Sequence, residues 1–373
     1  MDKINTISIL DTGIKNVRNV DGYVIGSGAI RELARQIDAR RNSGKGVIFF
    51  VDQYFQHNLE FLEKLPTTSS DLLLFVDTEF EPTTQGINDI LENLGNWRHD
   101  HPSVVVGIGG GIVMDTAKAV SNLLTNEGKA EDYQGWDLVR RPGIFKIAVP
   151  TISGTGAEAT RTCVMTNNKT GLKLGMNSDY TVFDFVIMDP DITLSVPRDQ
   201  YFWTCMDAYI HCVEALSGSY RNSIGDAFSR QTLELCRQVF GGTDDMQSDQ
   251  NRERLMVASY LGGCAIATSY VGLVHPLSAG LSVVFGAHHC VANCMAMRAV
   301  EKYYPDAFAE FWGMVDRMGV FVPKGIAADL ADDEYEKLYQ ATVLHEKPLT
   351  NALGDSFRSI LTKYKLIELF KLM

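Results

Sequence analysis

The sequence predicts an α/β N-terminal domain of the doubly wound, Rossmann-like type, followed by an all-α C-terminal domain. Three observations lead to this prediction. The 373 residues are enough for two cores. Short apolar runs alternate with amphipathic stretches over the first 150 residues, and helical periodicity dominates after about Asp189. Turn-forming Asp and Pro residues cluster in MDPDITLSVP, so we place the domains at residues 1–188 and 189–373.

Four continuous apolar runs in the first domain are predicted to be buried strands: GVIFFVD, DLLLFVD, SVVVGIGG and IFKIAVP. The helix-like segments among them are AIRELARQIDARR, QGINDILENLGNW and IVMDTAKAVSNLL. Strands that are apolar throughout, separated by helices, indicate a parallel sheet covered on both faces.

The second domain is predicted to be helical from its 3.6-residue periodicity. The segments with this pattern are YFWTCMDAYIHCVEAL, FSRQTLELCRQVF, RERLMVASYLGGCAIATSY, AFAEFWGMVDRMGV and DSFRSILTKYKLIELFKLM.

Charge and composition narrow the class of protein. The formal net charge is -12, which argues against nucleic acid or an anionic membrane as a partner. No run of about 18 apolar residues predicts a transmembrane helix, and the N-terminus lacks the apolar core of a signal peptide. The seven cysteines are odd in number and form no CxxC, which favours reduced, buried thiols. We therefore expect a cytoplasmic enzyme with a small-molecule substrate, and a homodimer is the default oligomer.

A glycine-rich turn is the first candidate binding element. VVVGIGGGIVMDTAKAV places Gly109, Gly110 and Gly111 between a strand and a helix. Such a turn lets backbone N–H groups and the helix N-terminus approach a phosphate. Asp115 and Lys118 follow within two turns and make a cofactor site more specific, although the spacing is not GxGxxG and a tight structural turn is the alternative.

Two further elements are candidates for cofactor binding. Asp52 ends an earlier strand, where a carboxylate can accept hydrogen bonds from a ribose hydroxyl. The loop VPTISGTGAEAT offers the hydroxyls of Thr151, Ser153, Thr155 and Thr160 beside two glycines. It can wrap a nucleotide, or it can be an ordinary capped turn.

Aspartate and histidine residues form a candidate metal site. Asp207 and His211 are four apart and share one helix face. A single pair of this kind more often consists of an aspartate at a helix start and a core histidine whose hydrogen bonds are made within the protein, with no metal. Downstream, however, His275, His288 and His289 lie within fifteen residues in apolar surroundings. Buried imidazoles need partners, and one carboxylate with three imidazoles suits Fe²⁺ or Zn²⁺.

Four ordered motifs resemble those of the iron-containing, or group III, alcohol dehydrogenases, which share the dehydroquinate synthase-like fold. GGGIVMDTAK resembles the family's GGGSxxDxAK loop, and PTISGTGAEAT its PTTxGTGSE loop. MDAYIHCVEA resembles its D-A-x-x-H-x-x-E helix, and HCVAN its HGxAN segment. The resemblance implies oxidation of an alcohol to an aldehyde with a nicotinamide cofactor.

The resemblance also implies roles for individual residues. It gives one divalent metal the ligands Asp207, His211, His275 and His289. It implies NAD rather than NADP, because the carboxylate of Asp52 would repel a 2′-phosphate. The cofactor contacts that it implies are Asp52, Gly109, Gly110, Gly111, Asp115, Thr151, Thr155 and Lys173.

Three positions depart from the family pattern. Ile112 replaces the serine of the glycine loop, and Cys290 replaces the glycine after the last metal histidine. Ala279 stands where the family often has a histidine that relays the proton. Either His288 or water would then carry the proton.

Within the family, YFWTCMDAYIHCVEALSGSYRN resembles the branch that contains 3-deoxy-octulosonate (Kdo) 8-oxidase. That resemblance implies oxidation of the C8 hydroxyl of Kdo in lipopolysaccharide synthesis. Two other functions stay open at this stage. One is a dehydroquinate-synthase-like lyase that uses NAD and a metal, which would need Lys and Arg for a substrate phosphate. The other is a non-catalytic binding protein on the same fold.

Overall fold

The computed structural model describes residues 17–41, 45–95, 101–242 and 245–373. Its described part divides into two compact units, Arg18–Val196 and the helical segment from Pro197 to Met373. The N-terminal sequence that lacks a signal-peptide core lies outside the described residues.

A six-stranded parallel sheet forms the centre of the first unit, as predicted. The strand order is β1-β9-β6-β4-β2-β3. The four predicted strands are β2, β3, β4 and β6 of this sheet, and β1 and β9 were not predicted. The strands of the unit are β1 Gly22–Ile25, β2 Val47–Asp52, β3 Leu72–Val76, β4 Val104–Gly109, β5 Gly135–Trp136, β6 Lys146–Pro150, β7 Thr162–Thr166, β8 Lys173–Asn177 and β9 Phe185–Met188.

Helices lie between these strands, as the amphipathic segments predicted. A core of aliphatic and aromatic side chains joins Leu33 and Ile37 of the first helix to the central strands. The α-helices of this unit are α1 Glu32–Asp38, α2 Leu59–Leu62, α3 Thr84–Asn93 and α4 Gly111–Thr125.

A second, three-stranded sheet was not predicted. Its order is β5-β8-β7, with β5 and β8 parallel and β7 and β8 antiparallel. Strand β7 reads TCVMT and alternates between half-buried and buried positions. Such a short, mixed pattern is weak next to the continuous apolar runs of the main sheet.

The end of the first unit lies later than the predicted boundary after residue 188. The carboxylate of Asp189 accepts hydrogen bonds from the backbone N–H groups of Gly28 and Ile30. It also caps the 3-10 helix Pro190–Ser195. These bonds hold the segment after β9 to the first unit, so the division falls at Val196.

The second unit is helical, as predicted, although its last segment forms two short helices rather than one. Thr362 begins the second of them, and its hydroxyl accepts from the N–H of Lys365. The helices are α5 Arg198–Ser217, α6 Ser223–Cys236, α7 Asp249–Ser269, α8 Val274–Phe285, α9 His289–Ala296, α10 Pro305–Met318, α11 Asp332–Val343, α12 Glu346–Leu353, α13 Phe357–Ile360 and α14 Lys363–Phe370.

The described helices were compared in length and apolarity with what a membrane span requires. No single one is long and apolar enough to cross a membrane. Helices α7 and α8 reach the required length and apolarity only as a pair, and a bend of 105° separates them.

Candidate metal centre and cofactor loops

Helix α5 carries three chemically important residues on one face. Asp207, His211 and Glu214 follow one another at intervals of four and three residues, a spacing that stacks side chains along a helix. All three are buried, and the Glu214 side chain has no exposed surface. A helix with so many buried polar groups needs partners for them from its neighbours.

The first turns of α8 and α9 supply these partners. Nε2 of His275 lies 3.3 Å from Oδ1 of Asp207, and Nε2 of His289 lies 3.6 Å from Oδ2. Single ligand atoms of Asp207, His275 and His289 all lie within 4.8 Å of one another. The structure therefore brings together three of the four predicted metal ligands in one cluster.

The fourth predicted ligand, His211, lies beside this cluster. Its Nε2 is 3.5 Å from Oδ1 of Asp207, and its ring stacks on that of His275 with the centroids 4.7 Å apart. Nδ1 of His211 is buried and has no hydrogen-bond partner among the described residues. The imidazole is therefore only partly satisfied by the protein's own groups.

The buried charges shift the pKa values of the cluster in opposite directions. Burial would raise the pKa of Asp207, but the imidazoles of His211, His289 and His275 hold it well below its usual value. Burial lowers the pKa of His211 to about 4. Burial also opposes the charged form of His275, yet the carboxylates of Glu214 and Asp207 raise its pKa to about 9.

Two residues of the cluster belong to the quoted sequence motifs but were given no role by the sequence analysis. Glu214 accepts a hydrogen bond from Nδ1 of His275. Asn293 donates from its amide nitrogen to Oδ1 of Asp207 at 2.7 Å, and that nitrogen lies 3.3 Å from Nε2 of both His275 and His289. Helical spacing could have found them, because Glu214 follows His211 by three residues and Asn293 follows His289 by four.

This donor set fits a divalent cation. One carboxylate oxygen and imidazole nitrogens converge on the position now approached by the Asn293 amide. Such mixed nitrogen and oxygen ligands suit zinc or iron. Among the described residues, no lysine or arginine forms an ion pair with Asp207, so the protein itself supplies only imidazoles to balance this buried charge.

The two family departures near this cluster have different consequences. Cys290 is buried with its Sγ 3.9 Å from Oδ2 of Asp207, so the substitution places a thiol beside the carboxylate. Ala279 lies on α8, one turn after His275, and offers no titratable group there. His288 is exposed at the start of α9.

In the first unit, the glycine turn joins β4 to α4. A Cβ on Gly109 would lie 2.4 Å from a methyl carbon of Val113, so only glycine fits there. Gly110 precedes the helix and provides no side-chain cap. The first N–H groups of α4, like those of any α-helix, have no intrahelical acceptor, and Gly110 leaves them without a side-chain cap. Such groups can bind an anion.

The threonine-rich loop lies against this turn. The N–H of Thr151 donates to the carbonyl of Gly109. The side chains of Ile152 and Thr155 are within 3.0 and 3.5 Å of where Cβ atoms would stand on Gly110 and Gly111. Ser153 is buried in the same loop. The structure thus brings the two predicted cofactor loops together.

The side chains of Lys118 and Asp115, both predicted cofactor contacts, form their hydrogen bonds with the protein's own groups. The ammonium of Lys118 is fully buried and donates to the carbonyls of Thr160 and Thr162 and to the Thr160 hydroxyl. All three of its protons are used, so it braces β7 against α4 and has none left for a phosphate. Asp115 accepts from the N–H of Val164. Burial raises its pKa to about 7 despite the attraction of Lys118.

The two remaining predicted cofactor residues lie at strand ends, Asp52 at the end of β2 and Lys173 at the start of β8. Asp52 ends β2, beside β4, and accepts from the N–H of Tyr54 and the hydroxyl of Thr78. Its pKa is raised, chiefly by burial. Lys173 of β8 is mostly buried and pairs with Glu81 at 3.0 Å.

Comparisons with known proteins place the chain in a family. Residues 21–190 match the family described as iron-containing alcohol dehydrogenase, and residues 202–347 match the C-terminal domain of the Fe-containing alcohol dehydrogenase family. The sulfoacetaldehyde reductase of Bilophila wadsworthia is 31% identical over 84% of this chain and 82% of its own length. The NAD-dependent methanol dehydrogenase of Bacillus methanolicus is 27% identical over 74% and 72%.

A solved structure supports the fold. The sulfoacetaldehyde reductase of Bifidobacterium kashiwanohense, in complex with NAD+, superposes with a TM-score of 0.76 at 21% identity, covering 96% of this chain and 98% of the other. The family matches together span most of both structural units. The chain belongs to the iron-containing alcohol dehydrogenase family, and it is an oxidoreductase of the alcohol dehydrogenase and aldehyde reductase class.

Proposed function

We propose that this protein interconverts a primary alcohol and its aldehyde, using one divalent metal and NAD. The observation that carries the proposal is the convergence of Asp207, His275 and His289, with His211 adjacent, in the interior of the helical unit. A divalent cation bound there would supply Lewis acidity, which lowers the pKa of an alcohol hydroxyl.

The protein's own residues contribute position and charge. Asp207 provides an ionised carboxylate, because the neighbouring imidazoles hold its pKa low. The imidazoles of His275 and His289 approach it from α8 and α9, which fixes three donors on three helices. Rigid helical placement limits the reorganisation needed when a ligand binds.

The first unit would bind the cofactor. The first N–H groups of α4, which have no acceptor within the helix, are suited to the pyrophosphate, and Thr151, Ser153 and Thr155 lie in the loop next to them. Asp52 favours NAD, since a carboxylate attracts ribose hydroxyls and repels a 2′-phosphate. NAD would supply the hydride acceptor. The name of the methanol dehydrogenase relative supports the same cofactor.

The substrate within this class is a separate proposal. The segment around Asp207 and His211 favours the C8 hydroxyl of Kdo, as in the resembling branch. The names of the relatives favour a shorter aldehyde such as sulfoacetaldehyde. In both cases a primary alcohol and its aldehyde are interconverted, so the proposed chemistry is the same for the two substrates.

The test combines elemental analysis with steady-state assays. We expect one equivalent of iron or zinc per chain and formation or consumption of NADH at 340 nm with at least one member of a panel. The panel holds Kdo, sulfoacetaldehyde, methanol and longer primary alcohols. A protein that holds its metal but turns over NAD with none of them would overturn the proposed reaction. NAD-dependent release of phosphate from a phosphorylated sugar acid, assayed separately, would favour the lyase. Activity with other members of the panel but none with Kdo would overturn only the proposal that Kdo is the substrate.

A further inference from the structure

We propose that Glu214 is a positioning residue that sets the metal affinity of the cluster by holding His275 in one orientation and one tautomer. This inference rests on the proposed metal site. It concerns a residue that would not touch the metal and would act only through the imidazole of His275.

Both oxygens of Glu214 are engaged with the start of α8. Oε1 accepts the N–H of Val274, and Oε2 accepts the Nδ1–H of His275. Among the described residues, Glu214 forms an ion pair with no lysine or arginine. A fully buried carboxylate is costly without partners, so these two hydrogen bonds are what hold its charge in the interior.

The chain leading to His275 is built to approach this carboxylate closely. A Cβ on Gly272 would lie 3.3 Å from Oε1 of Glu214 and 2.7 Å from the hydroxyl of Tyr304. The next residue, Leu273, donates its N–H to that same hydroxyl. The segment from Gly272 to His275 therefore rests directly on Glu214 and Tyr304, and a side chain at position 272 would push it away.

The chemical consequence follows from the two nitrogens of the ring. With the Nδ1 proton donated to a carboxylate, the neutral imidazole has its lone pair on Nε2. That nitrogen is the one that lies 3.3 Å from Oδ1 of Asp207 and belongs to the ligand cluster. A carboxylate in this place both aims the ring and makes its nitrogen a more basic ligand.

The first variant is Glu214→Gln, which keeps the shape and removes the charge. Its amide cannot accept from both Val274 and His275, so one N–H loses its acceptor or the ring changes tautomer. We expect the Zn²⁺ affinity, measured by competition with a chromogenic chelator, to fall by about 10- to 100-fold. Glu310→Gln is the matched control. Like Glu214, Glu310 is a glutamate of the helical unit that accepts hydrogen bonds, here from a tyrosine and an arginine, but it lies outside the cluster. The control variant should leave the affinity unchanged.

A double-mutant cycle separates a positioning role from a merely structural one. If Glu214 acts through His275, then Glu214→Gln in a His275→Ala background should change the Zn²⁺ affinity by less than about twofold. Circular dichroism of the metal-free proteins reports folding. Should Glu214→Gln fail to fold, Glu214→Asp, which keeps the charge but shortens its reach, takes its place in the same cycle.

The outcomes are distinct. A wild-type protein that binds no divalent cation overturns the proposed metal site, and the role of Glu214 with it. A wild-type protein that binds one cation, together with a Glu214→Gln protein of equal affinity, overturns the role of Glu214 alone. An equally large loss of affinity in the His275→Ala background also overturns it.

Discussion

The two predicted sites differ in how their buried charges are balanced. In the helical unit, Asp207 is surrounded by imidazoles, and its charge has no lysine or arginine partner among the described residues. In the α/β unit, the buried charges of Lys118 and Asp115 are already matched by backbone groups of Thr160, Thr162 and Val164. A charged residue in a family motif can therefore serve a ligand or the fold, and its hydrogen bonds distinguish the two cases.

The largest effect is expected from a substitution within the metal cluster itself. Asp207→Asn keeps the size of the side chain but removes the negative charge that the imidazoles surround. We expect the metal affinity to fall by more than about 100-fold, beyond the range of residues that only support ligands. NAD-linked turnover should be lost with the metal.

Elemental analysis after dialysis and chelator competition measure this change, and the Glu310→Gln variant is again the control. An Asp207→Asn protein that retains one equivalent of metal and the wild-type rate would contradict the ligand assignment.

The next effect tests whether Lys118 serves the fold. Lys118→Met removes the ammonium from three oxygens of Thr160 and Thr162, of which the two on Thr160 are buried. Each unsatisfied buried group costs about 1–3 kcal/mol, so we expect the free energy of unfolding to drop by about 3 kcal/mol. Urea denaturation measures it. Lys64→Met is the control, because the Lys64 ammonium is exposed and pairs with the exposed carboxylate of Glu60, and it should change stability by less than about 0.5 kcal/mol.

If Lys118 instead bound a phosphate, its replacement would raise the KM for NAD with little loss of stability. That result would make Lys118 a cofactor ligand, as the sequence predicted. The buried charges of the two units would then no longer differ in whether they serve a ligand or the fold.

How far the sequence predicts each unit depends on the range of the interactions. The strands β2, β4 and β6 are buried along nearly their whole length, and the edge strand β3 is half-buried throughout. Their continuous apolar runs therefore reveal all four strands locally. The role of Lys118 is not local, since its acceptors lie 42 and 44 residues further along the chain. No periodicity within α4 could have predicted that a small second sheet would bring them there.

The candidate metal site was more predictable, because its ligands lie on short stretches with helical spacing. The intervals from Asp207 to His211 and from His289 to Asn293 are both four residues. Glu214 was visible in the same helix, but its function depends on the turn at Gly272, and a sequence does not show which imidazole a distant carboxylate will meet.

A smaller effect is expected from the glycine turn. Gly109→Ala places a methyl group 2.4 Å from Val113, so α4 must shift at its N-terminus. Overpacking of this kind costs about 1–3 kcal/mol, and the displaced N–H groups should raise the KM for NAD. Gly313→Ala is the control, because it lies inside α10 with no atom within 4 Å of the added carbon. Thermal denaturation and NAD titration should separate the two variants, and equal NAD affinity in both would contradict the cofactor role of this turn.

The last effect concerns the choice of cofactor and leaves the fold unchanged. Asp52→Ser removes a carboxylate that we expect to accept hydrogen bonds from the ribose. A hydrogen bond to a charged group contributes about 1.5–3 kcal/mol, so kcat/KM with NAD should fall by about tenfold or more. The value with NADP should rise, because the repulsion of a 2′-phosphate is lost. The metal content should stay at the wild-type level, since Asp52 and the metal cluster belong to different structural units. An unchanged ratio of NAD to NADP activity would mean that the hydrogen bonds from Tyr54 and Thr78 are the whole function of Asp52, and would assign it, like Lys118, to the fold.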